Sequence, residues 1–261
     1  CVARWRGRAS SSPRALTAHA DTLGAMVKEI KKNGRLKLSK IGGVPWNTIE
    51  GEGCTIFTRH HGTLRGSILL TKASAHVYGA QLTDLKRDEE SLEVRLDART
   101  SSREETEALG VAVGDFVAFD PRLEIVNGFI RSRHLDDKAC VACLVAAIKA
   151  LHQAGLTPAQ TTFFHFSNYE EVGHGGMDGL PDDLAELVVA DMAVIGEGRQ
   201  GDEFHCSICV KDSSVPYSRR LTEKLRTIAE RAGVDLKTDV YPHYGSDGSV
   251  YWQAGGRAEV A

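Results

Sequence analysis

From residue 131 onward, apolar positions alternate between helical spacing and short β-rich runs. The pattern predicts a helix over 137–153 that ends at Gly155. Ser218 can cap a later helix, RRLTEKLRTIAERAG, whose stop is Gly233. The other predicted elements are a strand over 161–168, a short acidic helix near 181–187, a strand over 187–195 and a strand over 235–242. Alternating helices and strands predict an α/β sheet with helices on both faces.

Residues 33–130 show a different pattern, in which glycines separate short alternating segments such as CTIFT, GSILLT, LEVRL and DFVAFD. Regular turn signals at this spacing predict a small all-β barrel or sandwich. We therefore expect an α/β catalytic domain formed by residues 1–30 and 131–261, with residues 31–130 inserted as a β domain. Ligands of such α/β sheets bind outside the carboxyl ends of the strands.

The amino-acid composition limits which classes of molecule the protein is expected to bind. The 261 residues are 42% hydrophobic and 26% charged, with a net charge of −3, so there is no basic excess to hold nucleic acid. No apolar stretch approaches the roughly 20 residues that cross a bilayer. We expect a soluble, cytoplasmic protein that acts on a peptide or another small molecule.

The two ends of the sequence look cut. The first 16 residues carry four arginines and no acid, which is compatible with an organelle transit peptide. A fragment or a mispredicted start explains the missing initial Met more simply. The last residues, GGRAEVA, stop in a segment with strand character.

Six cysteines include two CxxC pairs, Cys140 with Cys143 and Cys206 with Cys209. A zinc ribbon is disfavoured because the first pair lies in a helical pattern and 62 residues separate the pairs. The second pair lies in a predicted strand, where residues three apart face opposite sides. We expect all six to be free, buried thiols in a reducing compartment.

Two acidic doublets flank apolar segments of the second half: Asp136-Asp137 and Glu170-Glu171. Carboxylates are rarely buried unless they are paired or bind a metal, so adjacent ones need a cation. One carboxylate of the second doublet would bind that cation, and its neighbour on an extended segment would move a proton. The alternative is structural, because an isolated pair of glutamates more often lies at a solvent-exposed edge of the fold.

His19, Asp21 and Asp191 complete the candidate set for a two-metal hydrolase centre. His19 follows a predicted strand over 15–18, and Asp21, two residues on, can orient the imidazole. Asp136 is our candidate for the carboxylate that bridges the metals, with Asp137 as its neighbour and possible helix cap.

Each of these residues also has an ordinary structural interpretation. A lone HxD is more often a surface or core histidine, and a single Asp before a helix is usually an N-cap. Asp191 interrupts the apolar run LVVADMAVI, so it needs a partner, which could be a buried Arg instead of a metal.

The chain resembles the glutamyl and tetrahedral aminopeptidase family of dinuclear metallopeptidases over roughly residues 15–261. The segments that carry the resemblance are AHADTLGAMVKEIKKNGRLKLSKIGG, NGFIRSRHLDDKA, SNYEEVGHGG, VADMAVIGEGRQ, CVKDSSVPY and YPHYGSDGS. The resemblance implies a phosphorylase/hydrolase-like mixed sheet flanked by helices, with an inserted β domain that takes part in contacts within a homo-oligomer.

The resemblance also implies roles for the candidate residues. His19, Asp136 and Asp191 would hold one metal ion, Asp136 and Glu171 would hold the other, and Glu170 would be the general base. Two divalent ions, zinc or cobalt, are implied for each subunit. The family's last ligand is a histidine in a segment C-terminal to the part that matches YGSDGS, beyond Ala261. Val215 and Gly248 stand where we expect Gly and Ala, which leaves fine specificity open.

We therefore expect a metal-dependent aminopeptidase. A related deacylase or carboxypeptidase stays open because the ligand set does not decide which end of a peptide is cleaved. A glycosidase is disfavoured because such enzymes use two carboxylates and usually no metal. A non-catalytic assembly protein is the alternative if the last histidine is absent. The sequence does not indicate which N-terminal residue is preferred.

Overall fold

The computed structural model describes residues 1–176 and 178–261 and divides into two compact units. The first unit is formed by Cys1–Thr22 together with His134–Ala261, and the second by Leu23–Arg133. Residues 23–30 and 131–133, which the sequence assigned to the catalytic domain, lie in the second unit, where 24–30 pair with β4.

The described elements include fifteen strands, six α-helices and two short 3-10 turns. The strands are β1 Val2–Trp5, β2 Ala9–His19, β3 Gly24–Ile30, β4 Leu36–Ile41, β5 Gly53–Thr58, β6 Gly62–Leu70, β7 Leu92–Leu96, β8 Phe116–Phe119, β9 Glu124–Val126, β10 Phe129–Arg131, β11 Gln160–Ser167, β12 Glu186–Val189, β13 Cys206–Lys211, β14 Leu236–Val240 and β15 Glu259–Val260. The helices are α1 Ala75–Tyr78, α2 Ala80–Thr83, α3 Arg103–Ala108, α4 Leu135–Gln153, α5 Arg219–Ala232 and α6 Asp247–Gln253, and the 3-10 turns are Trp46–Thr48 and Glu170–Val172. None of the helices among these residues is long and apolar enough to span a bilayer.

The first unit contains a mixed five-stranded sheet in the order β1-β11-β2-β12-β15. Strand β1 runs antiparallel to β11, and the other neighbours are parallel. In the register, Ser167 of β11 lies beside His19, and Val189 of β12 lies beside Thr17. Three carboxyl ends therefore meet at one edge of the sheet.

Helices cover both faces of this sheet, as the alternating pattern predicts. On β2, Leu16 and Ala18 face a cluster that contains Leu144 of α4, whereas Ala15 faces the opposite cluster with Tyr251 of α6. Residues of alternating parity on a strand point to opposite faces, which explains the division. The predicted mixed α/β fold is confirmed.

The second unit is built around a closed barrel in which the strands follow the order β3-β4-β7-β6-β5-β8, and β8 pairs with β3. Its core consists of buried hydrophobic side chains from every strand, including Val27, Leu36, Leu38, Cys54, Ile56, Ile68, Leu70, Leu92, Val94, Val117 and Phe119. A closed barrel leaves no open sheet edge among its own strands. The predicted all-β insert is confirmed.

The predicted ends of the second helix agree with the structure. Ser218 precedes α5, and its side chain accepts a hydrogen bond from the backbone N–H of Leu221. Gly233 ends the helix with a φ of 68°, a left-handed conformation that glycine adopts without strain.

Two local predictions around residue 185 are wrong. No helix forms at 181–187, because β12 begins at Glu186 and pairs with β2 and β15. The strand predicted over 187–195 ends at Val189, where its pairing with β2 ends. Beyond that point the N–H of Ala190 still donates to Thr17, but Asp191 lies outside the strand. In both cases the pairing of β12 with its neighbouring strands, and not the local sequence pattern, decides the secondary structure.

The six cysteines are free thiols, but their expected burial is wrong for three of them. Cys1, Cys143 and Cys206 are exposed, whereas Cys54 is buried and the remaining two are half-buried. The CxxC pairs lie in α4 and β13. Exposure of Cys143 follows from its position on the outer face of α4.

Ile56 and Phe57 offer a direct comparison of the two faces of barrel strand β5. Ile56 is fully buried, whereas its neighbour Phe57 is 49% exposed. Ile56→Ala should lower the free energy of unfolding by about 2–5 kcal/mol through lost burial and a residual cavity. Phe57→Ala serves as the matched control and should cost about 1 kcal/mol or less. Urea unfolding of both variants checks this, and equal losses would contradict the assigned barrel faces.

His165 should make stability depend on pH. It is buried on β11 beside the Thr17 hydroxyl, and burial, with a smaller effect of the Cys1 ammonium, lowers its pKa below 6.5. The unfolded chain then binds the proton more readily, so this contribution is complete above pH 6.5 and is lost as pH falls through the folded pKa. Between pH 7.5 and 5.5, His165→Gln should lose less unfolding free energy than the unaltered protein, by at most about 1.4 kcal/mol per pH unit. Equal losses of unfolding free energy in the variant and the unaltered protein over this pH range would contradict the assignment to His165.

Candidate active site

The carboxyl ends of β2, β11 and β12, together with the start of α4, bring one histidine and three acids together. His19 is the last residue of β2 and is only 2% exposed. Its Nε2 lies 3.0 Å from Oδ1 of Asp136, 3.8 Å from Oε2 of Glu170 and 3.9 Å from Oδ1 of Asp191. One imidazole nitrogen therefore faces three carboxylates.

The first acidic doublet holds His19 at two points. Asp136 and Asp137, joined by a cis peptide bond, have non-helical backbone angles at the start of α4. Asp136 faces the imidazole, whereas fully buried Asp137 accepts a hydrogen bond from the backbone N–H of His19 at 3.0 Å. The sequence suggested Asp137 as a possible cap, but its contact with the backbone of His19 depends on tertiary structure that the sequence pattern did not reveal.

The second acidic doublet lies on a turn, so the expectation of an extended segment is wrong. Strand β11 ends at Ser167, and Tyr169 adopts a left-handed conformation with a φ of 68°. Glu170 and Glu171 then begin a 3-10 turn. The two side chains consequently leave the chain in directions set by the turn and not by strand alternation.

Asp21 connects the histidine to this turn. Its backbone carbonyl accepts a hydrogen bond from Nδ1 of His19 at 3.2 Å, and its carboxylate lies 3.5 Å from the same nitrogen. The carboxylate also accepts from the backbone N–H groups of Glu170 and Glu171, at 3.3 and 3.1 Å. The sequence predicted that the Asp21 carboxylate lies beside the imidazole, but it gave no signal for the carbonyl contact or for the contacts with the turn.

The tautomer of His19 follows from these contacts. A carbonyl oxygen can only accept, so the hydrogen-bond geometry assigns the proton to Nδ1. In a neutral imidazole, the lone pair of Nε2 would then point at the oxygen of Asp136. Two acceptors at 3.0 Å need a proton or a metal ion between them. These residues therefore fit a bound cation.

Asp191 stands just after β12 and is held from both sides. Its Oδ1 accepts from the backbone N–H of Met192 at 2.6 Å, and its Oδ2 accepts from the hydroxyl of Tyr244 at 2.8 Å. Burial and the adjacent carboxylate raise the pKa of Tyr244 far above its usual value, so the phenol keeps its proton. Sequence reasoning missed Tyr244, because nothing in YPHYGSDGS indicates a partner 53 residues away.

Asp247 is an acid near the site that sequence reasoning did not assign. It is buried, accepts a hydrogen bond from the hydroxyl of Ser167 and lies beneath the glycine-rich turn. A Cβ added to Gly175 would lie 2.0 Å from Oδ1 of Asp247, and one on Gly176 would lie 2.7 Å from its Cβ. Only glycine permits this close approach of the turn.

Gly248 replaces an expected alanine for a packing reason. A Cβ at this position would lie 2.5 Å from Cγ1 of Val260 and 2.9 Å from Cγ2 of Val189. These branched side chains on β15 and β12 occupy the space of an alanine methyl group. The departure therefore belongs to the packing of α6 on the sheet.

The pKa values show how strongly the acids are crowded. Burial, and then the charge of Asp191, raise the pKa of Glu170 to about 8. Burial likewise raises the pKa of Asp137 to about 7 and that of Asp247 to about 6, and it raises the pKa of Asp191. Desolvated, mutually repelling carboxylates respond in this way when no cation balances them.

The pKa of His19 is raised as well, but for an imidazole a raised pKa favours the charged form. Burial disfavours its charged form, but hydrogen bonds to Asp136 and Asp21 and the charges of Asp191 and Glu170 raise its pKa to about 11. A proton on this ring partly neutralises the surrounding acids. A divalent cation at the same place would do so more completely.

Among the described residues, His19, Asp136 and Asp191 form a group that could hold a metal ion. One ligand atom from each lies within 4.8 Å of the others. One nitrogen and carboxylate oxygens are a donor set that zinc accepts. Of the four predicted ligands, Glu171 is outside this group, although its backbone is fixed by Asp21 in the adjoining turn.

Comparison with known proteins now identifies the family. Residues 1–261 match the family model of the M42 glutamyl aminopeptidases. The chain belongs to this family. The "Putative aminopeptidase YhfE" of Bacillus subtilis (strain 168) is 48% identical to this M42 chain over 255 residues, which cover 97% of the chain and 73% of that relative.

Solved structures agree with the M42 assignment. PhTET1-12s, solved with a dodecamer in the asymmetric unit, has a TM-score of 0.82 and 25% identity, covering 99% of this chain and 75% of that one. A TET aminopeptidase from a marine sediment archaeon of the Thaumarchaeota has a TM-score of 0.86 at 19% identity, covering 99% and 74%, and supports the fold alone.

Membership in the M42 family confirms the resemblance read from the sequence motifs. The protein is a hydrolase, an aminopeptidase of a metal-dependent family. Its candidate metal site lies at the three strand ends where His19 meets Asp136 and Asp191. The family assignment thus favours an aminopeptidase over the deacylase, carboxypeptidase, glycosidase and assembly-protein alternatives.

Proposed function

We propose that this aminopeptidase removes N-terminal residues from peptides with two divalent ions, zinc or cobalt, at the edge of the β2, β11 and β12 strands. The observation that carries the proposal is the convergence of Asp136, Glu170 and Asp191 on Nε2 of His19. Within the described residues, the ion pairs of these three acids are all with His19. A site with this excess of negative charge is suited to cations.

The proposed ligand allocation follows the positions of the side chains. His19, Asp136 and Asp191 would hold one ion, and Asp136 would share the second with Glu171. Support comes from the 4.8 Å cluster of the first three and from the fixed turn that carries Glu171. When bound, the ions would polarise the scissile carbonyl and make water a better nucleophile.

Glu170 is the proposed general base. It is largely buried beside the proposed metal site, with its Oε2 3.8 Å from Nε2 of His19. A carboxylate in this position could take a proton from the attacking water and pass it to the leaving amine. Because Glu170 begins the 3-10 turn, its backbone N–H is held by Asp21 while its side chain faces His19.

Asp21 is proposed to act through its neighbours. Its carbonyl fixes the tautomer of His19, and its carboxylate anchors the turn that presents Glu170 and Glu171. A carboxylate behind a ligating histidine also increases the basicity of the ring. Asp21 therefore connects the geometry of the metal ligand to that of the base.

The domain division, the oligomeric state and the cellular compartment of the enzyme are also part of the proposal. The two compact units correspond to a catalytic domain and an inserted β domain. A homo-oligomer is supported by the dodecamer of PhTET1-12s, and a peptide substrate by the aminopeptidase family. Free thiols, three of them exposed, favour a reducing compartment such as the cytoplasm.

Glu170→Gln tests the base assignment. The amide preserves the shape of the side chain but cannot accept the proton, so kcat should fall by about 10²–10⁴ while metal content stays unchanged. Hydrolysis of aminoacyl p-nitroanilides and elemental analysis measure the two quantities. Glu230→Gln, on the exposed face of α5, is the matched control. Unchanged turnover in Glu170→Gln would refute the role of Glu170.

A further inference from the structure

The two oxygens of Asp191 have different surroundings. Oδ2 accepts a hydrogen bond from the hydroxyl of Tyr244 at 2.8 Å. Oδ1 accepts from the backbone N–H of Met192 and is the oxygen that lies 3.9 Å from Nε2 of His19. One oxygen is therefore tied to a phenol, while the other faces the candidate metal site.

Tyr244 is itself held in place by its neighbours. Its backbone carbonyl accepts two hydrogen bonds from Ser213, at 3.0 Å from the backbone N–H and 2.7 Å from the hydroxyl. Its ring packs edge-on against buried Tyr241, with centroids 5.5 Å apart and planes at 88°. The phenol therefore approaches Asp191 from a fixed support.

We propose that Tyr244 is a positioning residue that makes Asp191 a metal ligand through Oδ1 alone. The hydrogen bond occupies Oδ2, which disfavours chelation of one ion by both oxygens. It also fixes the plane of the carboxylate so that Oδ1 points towards His19. This inference rests on the metal site of the proposed function.

A phenol suits this role better than a basic side chain. An arginine or lysine beside Asp191 would orient the carboxylate but would also cancel the negative charge that attracts the cation. A neutral hydroxyl supplies the hydrogen bond without adding positive charge. Partners behind metal ligands typically change metal affinity by about 10–100-fold when removed.

The test is the zinc affinity of the metal-free protein, measured by calorimetric titration with ZnCl₂. Tyr244→Phe keeps the ring but removes the hydrogen bond, and we expect about 10–100-fold weaker zinc binding. Tyr241→Phe is the matched control, since it removes a hydroxyl from the packed neighbour without touching Asp191, and its affinity should be unchanged. Thermal unfolding of the metal-free variants checks that both fold.

Asp191→Asn separates a positioning effect from a general structural one. If Tyr244 acts through Asp191, adding Tyr244→Phe to Asp191→Asn should weaken zinc binding little further. Wild-type affinity in Tyr244→Phe, an equal loss in Tyr241→Phe, or a fully additive loss in the double variant would overturn the inference.

The same titration distinguishes this inference from the proposed function. Zinc binding that depends on Tyr244 in a protein without peptidase activity would support the inference and contradict the proposed function. A failure of the unaltered protein to bind zinc or cobalt would overturn both.

Discussion

Repulsion among crowded carboxylates around His19 is the constraint on which the site depends. Asp136, Glu170 and Asp191 converge on one imidazole nitrogen, and burial of Glu170 and Asp191 removes the solvation that would favour their charged forms. The raised pKa values of Glu170 and His19 are two consequences of this crowding. A fold that assembles such a cluster is suited to binding cations, as expected of a metal-dependent aminopeptidase.

The fold holds these repelling groups together through contacts away from the charges. Parallel pairing of β2 with β11 and β12 fixes where three strands end. Asp137 then binds the backbone of His19, and Asp21 binds both its ring and the turn that carries Glu170. Each contact replaces solvent with a directed hydrogen bond, so the acids are held in position before any substrate arrives.

Residue chemistry and local pattern predicted much of this arrangement. Asp191 stood out as an acid in an apolar run, and Ser218 and Gly233 marked the ends of a helix, because these signals are local. Tyr244 could not be found in this way, since its importance depends on a partner distant in sequence. The turn at Glu170 was missed because Tyr169 adopts a left-handed conformation that its residue type does not predict.

The central claim is that this strand edge holds a pair of ions that share Asp136. Anomalous diffraction from crystals grown with zinc or cobalt tests it most directly, because it locates each ion independently of activity. The account predicts two ions: one at about 2.0–2.2 Å from ligand atoms of His19, Asp136 and Asp191, and a second bound by Asp136 and Glu171. An empty strand edge, or ions bound without Asp136, would contradict it.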